Sequence, residues 1–366
     1  MPGRFPHLSE TPIRLNSTRA WRPYLGGKRL EEWQGTPNPE DGRYPEEWVA
    51  STIRARNVGR ESIVEGLTTV SLEDGIVLLS EVIESDPEAF LGVTHVKTYG
   101  TSTAILTKLL DSKSRLPIQV HPDRDFAARM FHSAYGKTEA WYILGNRCIE
   151  GVEPYLLLGF KAGITRKKWA ELFAKQSIEG MIDCLHRLPA VPGELLLIEG
   201  GVPHAIGPGC FLIEIQEPTD YTIRVERTLP WGESVPDVHC HQGLGFDAMF
   251  DCFHYDAYPR EEILRRWRIA PKALRKNAGG SEVELIGALE TDKFRLVRLD
   301  VTGQFDLPAE EVFSVLIVLQ GAGRLIYGNR RTEVIKADKF FLPARLGNFR
   351  IEAGERLSLI RCCPPR

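Results

Sequence analysis

Three short, sequence-distant phrases carry side chains that could do chemistry together. In LPIQVHPD (Leu116 to Asp123), an extended backbone projects Gln119 and His121 to one face, because side chains alternate along a strand. In GKTEAWYIL (Gly136 to Leu144), Lys137 and Glu139 share a face in the same way. VPGELLLIEGGVPHAIGPG (Val191 to Gly209) reads as a turn at Pro192-Gly193, a strand from Leu195 to Ile198, a tight Gly200-Gly201 turn, and a second strand beginning near His204. Taken singly, each phrase has a plain reading. A Gln-x-His pair on a strand commonly faces solvent, and Lys137 with Glu139 makes an ordinary exposed ion pair. Taken together they supply two imidazoles and two oxygen donors, a mixed set that suits Zn²⁺ with an open coordination position and also Mn²⁺ or Fe²⁺. Farther along, Glu214 and Gln216 share one face of FLIEIQE, and Arg224 lies on the next extended segment, YTIRVE. If Glu214 is instead a buried charge paired with an arginine, that too places it beside Arg224.

Most of the chain is built to hold such residues on strands. Short apolar runs bounded by Gly, Pro and Asp recur, among them LLLIEG, FLIEI and VFSVLIVL, and many such runs predict a sandwich or barrel. From Thr165 to Leu188, Trp169, Leu172, Phe173, Met181, Ile182 and Leu185 recur at helical spacing, with a break expected near Gly180. Glu261 to Trp267 predicts a second helix, and the polar, glycine-bearing stretch Arg275 to Ser281 reads as a linker. Beyond it, Glu282 to Pro364 alternates strands and turns and contains no histidine, so it has little with which to hold a metal.

Composition narrows the field of functions. The 366 residues are 43% hydrophobic and 26% charged, with a net charge of −3, so no global field draws the chain to nucleic acid or an anionic membrane. No run approaches the length of a membrane helix, and MPGRFPHLSETPIRLNSTRAW has no apolar core of a secretory signal. Seven irregularly spaced cysteines predict free thiols and a cytoplasmic setting, with Cys148 and Cys210 expected to pack among apolar neighbours. Dinucleotide, P-loop, HExxH and GxSxG patterns are missing from the sequence. His239-Cys240-His241 reads as a helix start or surface loop. His132, His186 and His254 read as surface residues without a role, and Cys362-Cys363 as the end of a strand.

At the chemistry-bearing phrases the chain resembles the type I phosphomannose isomerases in their short bacterial form. ILTKLLDSKSRLPIQVHPD, GKTEAWYIL and PGELLLIEGGVPHAIGPGCFLIEIQEPTDYTIRVE follow that family's order and spacing, with weaker echoes at Arg19 to Trp21, Gly26-Gly27 and Glu47-Trp48. The spacing Gly193, Gly201, His204 is similar to the second cupin motif, with Glu199 where its proline usually stands. The resemblance implies a mainly β fold of two cupin-like β-barrel (jelly-roll) domains, the first with a small helical insertion at about 165–188. On that pattern residues 1–258 form the catalytic domain, 259–281 the connection, and 282–366 a C-terminal domain without metal ligands. It implies Gln119, His121, Glu139 and His204 as zinc ligands, and Lys137, Arg224 and Glu214 as active-site residues.

The implied reaction interconverts mannose 6-phosphate and fructose 6-phosphate through a cis-enediolate, whose charge a divalent metal and Arg224 would stabilise. Either Lys137 or Glu214 would move the proton. The implied partner is a small sugar phosphate, with no nucleic acid or membrane, and the oligomeric state is left open. One departure bears on substrate. The chain reads Leu116-Pro117-Ile118 where the family commonly has LSIQVHP, and that serine is associated with the phosphate-binding end of the site. Proline offers neither a hydroxyl nor a backbone N–H. ERTLPWGESVPD after Arg224 also departs from the family's text. The alternatives are an isomerase of an unphosphorylated or different sugar, a non-catalytic sugar-binding cupin, and an Fe²⁺ oxidase or dioxygenase. Retention of Lys137, Glu214 and Arg224 argues against the binder, and the glutamine among the ligands against the oxidase.

Overall fold

A computed structural model describes residues 4–57 and 59–365 and is mainly β. The chemistry-bearing phrases all fall in two antiparallel sheets. One has the strand order Arg268–Ile269, Leu195–Ile198, Glu139–Asn146, Cys210–Gln216, Leu106–Asp111, Glu46–Val49, Arg19–Ala20. The other runs Leu185–Pro189, Tyr155–Phe160, His204–Ile206, Gln119–Val120, Ile223–Arg224. Alternate side chains of the two meet in one apolar layer, Leu110, Trp141, Ile143, Leu196 and Leu212 against Leu156, Leu158 and Ile206. The intervening residues of the five-stranded sheet, such as Ile118, Val120, Ile223 and Val225, point the other way. They pack against Trp169, Phe173, Met181, Met249 and Phe250 of the neighbouring helices.

The C-terminal part repeats this layering. A seven-stranded sheet contains Lys339–Leu342, Ser314–Gln320, Leu357–Cys363 and Arg295–Val301, and packs on a four-stranded sheet around Phe305, Leu316, Leu325, Phe340 and Ile351. Its outer face lies against the first seven-stranded sheet. Leu109, Tyr142, Leu197, Ile213 and Ile215 share a core with Leu296, Val315, Ile317 and Ile360. The N-terminal strand Ile13–Arg14 pairs with Phe340 and Phe341, so the start of the chain is stitched into the C-terminal sheet.

Several local expectations need correction. The helical stretch breaks at 175–177, where Gln176 takes φ +47°, and Gly180 sits inside the second helix, Ile178–Asp183. The Gln176 amide holds that break by donating to the carbonyls of Phe173 and Val225. Leu185 and Leu188 belong to a strand, Leu185–Pro189, because pairing with Tyr155–Phe160 overrides their helical spacing. Arg275 to Ser281 lies in a hairpin of Lys272–Asn277 and Gly280–Ile286, turned by Asn277 Oδ1 accepting from the N–H of Gly279 and Gly280. The helix expected over Glu261 to Trp267 is present and runs Arg260–Trp267. Cys148 is exposed whereas Cys210 is buried. His186 is buried on its strand, hydrogen-bonded to the Tyr258 carbonyl. No helix among the described residues is long and apolar enough to cross a membrane.

Candidate metal centre

Strand register brings the donors together. Gln119 pairs directly with His204 on one side and with Arg224 on the other, while Glu139 opens its strand in the opposing sheet. The Gly200-Gly201 turn makes this approach feasible. Gly201 has φ +86° and donates its N–H to the His121 carbonyl at 2.7 Å. A Cβ on Gly200 would lie 2.6 Å from the Asp123 backbone, so only glycine lets the hairpin bearing His204 rest on the chain just after His121.

The resulting group is compact and fully enclosed. His121 Nε2 lies 3.3 Å from Glu139 Oε2, and His204 Nε2 lies 3.5 Å from Glu139 Oε1. One donor atom from each of the three residues falls within 4.8 Å of the others. Each histidine donates its Nδ1 proton to a carbonyl, His121 to Tyr221 at 2.8 Å and His204 to Val202 at 2.9 Å. That fixes the tautomer and leaves both Nε2 lone pairs facing the centre. Burial lowers the pKa of both rings, assisted at His121 by nearby Lys137, so both are neutral donors. Both oxygens of buried Glu139 lack a hydrogen-bond donor. A buried carboxylate without a hydrogen bond, with only the Lys137 ammonium at 3.5 Å to balance it and two imidazole lone pairs facing it, is well suited to a divalent cation. The Gln119 amide stands 3.3 Å from His204 Nε2, where a half-turn presents its oxygen to the same point.

Around the donors lies a buried charged network. Lys137 Nζ is 2.9 Å from His121 Nε2 and 3.5 Å from Glu139 Oε2. Both residues are buried, which overturns the reading of an exposed ion pair. Burial also lowers the pKa of Lys137, against the opposing pull of Glu139. Glu214 pairs with Lys108, at 2.9 Å, and accepts from Trp141 Nε1 at 3.2 Å. The same ammonium reaches Gln216 Oε1 at 2.7 Å. Arginine is therefore not the partner of Glu214. Arg224 instead donates to the carbonyls of Thr222 and His239, at 3.2 and 3.5 Å.

Lys108 was missed by the sequence reading, although a lysine inside the apolar strand ILTKLL is itself a signal. Asp220 and Arg22 were missed too. Arg22 bridges Glu46 at 2.9 Å and Asp220 at 3.5 Å, and its charge, with those of Lys108 and Lys137, holds Asp220 well below the usual carboxylate range despite burial. His239-Cys240-His241 sits at a short helix, Asp237–Cys240, as expected, and His254 pairs with Asp123.

The fold and the site define a class: a mainly β, cupin-bearing protein whose buried histidine–glutamate–histidine group could hold a metal ion. Residues 20–145 match the model of the phosphomannose isomerase type I catalytic domain, and residues 286–364 that of the mannose-6-phosphate isomerase cupin domain. The chain belongs to the type I phosphomannose isomerase family, which is metal-dependent. It is 28% identical over 277 residues to the Bacillus subtilis protein named "Probable mannose-6-phosphate isomerase GmuF", covering 75% of this chain and 78% of that one. It is 25% identical over 264 residues to mannose-6-phosphate isomerase ManA of the same organism, covering 69% and 73%. The crystal structure of a mannose 6-phosphate isomerase from Bacillus subtilis shares the fold, with a TM-score of 0.73 at 24% identity over 96% of this chain and 99% of that one.

Proposed function

We propose that the chain interconverts mannose 6-phosphate and fructose 6-phosphate by proton transfer between C1 and C2. The observation that carries this reading is the enclosed group of His121, Glu139 and His204, with both Glu139 oxygens undonated and Lys137 against it. Gln119, His121, Glu139 and His204 would hold the ion, with zinc favoured by the imidazole-rich set. When bound, the metal supplies positive charge for the enediolate oxygens.

The chain's own residues account for the rest. One proton leaves C2 of the aldose and returns to C1, while another passes from O2 to O1. Lys137 is the proposed proton carrier, because its Nζ stands beside the donor group, 2.9 Å from His121 Nε2, and burial lowers its pKa below the ordinary lysine value. Glu214 is held by Lys108 and Trp141, so its carboxylate forms a fixed wall of the site. Arg224 donates to the carbonyls of Thr222 and His239 rather than to a carboxylate, which leaves its charge available to anionic oxygens of the substrate. The two layered β units are proposed to be cupin barrels, the second acting without a metal, in a cytoplasmic enzyme.

A second reading, isomerisation of an unphosphorylated sugar, is favoured by Pro117, which lacks both donors that a serine would offer. Assaying mannose 6-phosphate and free mannose side by side, with and without chelator, decides between them. Metal-dependent turnover of the phosphate ester is expected. Turnover confined to the free sugar would remove the phosphate, and no turnover of either by metal-loaded protein would remove the isomerase.

A further inference from the structure

Pro117 has a second consequence, for the strand that carries Gln119 and His121. That strand is only two residues long, Gln119–Val120, and the proline just ahead of it has no N–H to anchor. Val225 donates its N–H to the Ile118 carbonyl at 3.1 Å, but the Val225 carbonyl accepts from the side chain of Gln176. Ile118 N–H goes instead to a side chain, Glu226 Oε1, at 2.6 Å. Glu226 is completely buried, and Arg115 grips it with two guanidinium bonds of 2.6 and 2.9 Å. Arg115 also donates to the Leu116 carbonyl, so one ion pair spans the chain on both sides of the proline.

A buried carboxylate is costly to place unless its lone pairs are filled. Here all three of its bonds are directed at the residues entering the donor strand. Arg224 and Glu226 alternate with Ile223 and Val225, which pack outward, so Glu226 belongs to the same inward row as Arg224, the strand partner of Gln119. A slip of Ile118 would carry Gln119 and His121 with it.

We propose that Glu226, with Arg115 as its counter-ion, is a positioning residue that sets the strand bearing Gln119 and His121 at the metal centre. The inference rests on the metal-site reading above. It acts through the backbone bond to Ile118; groups hydrogen-bonded to metal ligands themselves are worth about 10–100-fold in affinity, and one acting through the chain a residue away is expected at the lower end of that range.

The test is the Zn²⁺ affinity of the full chain, stripped of metal and titrated against a competing chromophoric chelator, alongside thermal melting. Glu226→Ala is expected to weaken Zn²⁺ binding about 10-fold. Glu226→Asp keeps the charge but is too short to span Arg115 and Ile118, and is expected to weaken binding in the same direction. Glu226→Gln keeps an oxygen for Ile118, and is expected to hold wild-type affinity while melting earlier because the ion pair is gone. The Asp and Gln variants decide the matter even if the alanine variant is insoluble. Wild-type affinity in a folded Ala or Asp variant overturns the inference, as does a Gln variant that loses as much affinity as the Asp variant. Failure of the wild-type protein itself to bind Zn²⁺ would overturn the metal-site reading as well, so the two failures are distinguishable.

Discussion

Lys108→Met tests whether the buried charges beside the donor group act as one unit. Lys108 is 3% exposed and Glu214 4% exposed, their charged atoms are 2.9 Å apart, and the same ammonium satisfies Gln216. Removing one member of a buried pair strands the other, at a cost of about 3–5 kcal/mol. Glu214→Leu strands Lys108 and is expected to cost a similar amount, so independent effects would total roughly 6–10 kcal/mol in the double variant. The double variant has no stranded charge. It still leaves Gln216 Oε1 and the Trp141 N–H short of partners, at about 1–3 kcal/mol each. A double variant at roughly 2–6 kcal/mol is therefore expected, and the central values, about 8 for independent effects against about 4, give a coupling of about 4 kcal/mol. Urea unfolding of the metal-free protein, followed by tryptophan fluorescence near neutral pH, measures all four states of the cycle without metal linkage. A single variant costing less than about 1 kcal/mol, or strictly additive variants, would show that these charges do not act as one unit.

Burial, with Oδ1 left unpartnered, raises the Asp111 carboxyl to about 6 despite Arg147 and the N–H groups of Arg29 and Gly27. Its folded pKa exceeds the unfolded one, so its contribution is fully present at low pH and is lost as pH rises through about 6. Asp111→Asn should therefore gain on wild type by roughly 2–3 kcal/mol between about pH 4 and 7 in a series of urea melts, and a pH-independent difference would contradict this. Gly201→Ala places a Cβ 2.5 Å from the His254 ring at a φ of +86°. A loss of about 1–3 kcal/mol in stability is expected, with weaker Zn²⁺ binding because His204 follows three residues later, and calorimetry with a Zn²⁺ titration checks both. Stripping metal with EDTA should lower Tm by several degrees, with recovery on adding Zn²⁺, since a ligand at a thousandfold its Kd stabilises the folded state by about 4 kcal/mol. An unchanged Tm would count against the donor group as a tight site.

Local rules carried the sequence reading as far as the donor residues. Gln119 with His121 and Lys137 with Glu139 are legible because strand alternation is a property of the backbone. The glycine pair before His204 is legible because few residues tolerate that turn. Edge elements are less so. Lys272–Asn277 is exposed along its whole length, and a solvent-facing edge strand with lysine and arginine looks like a linker when no partner strand is visible. The helical spacing of Leu185 and Leu188 misleads for the converse reason, since pairing with Tyr155–Phe160 outweighs a weak local preference.

Which donor types the chain offers, and which of them share a strand face, can be read along the sequence. Which charges meet depends on how the sheets pair and pack. Lys108 and Glu214 are 106 residues apart and Arg22 and Asp220 are 198 apart, yet strand register and sheet packing bring each pair within ion-pair distance. Coulomb and hydrogen-bond energies depend on separation through space and on the exclusion of water, and the order of residues along the chain contains neither.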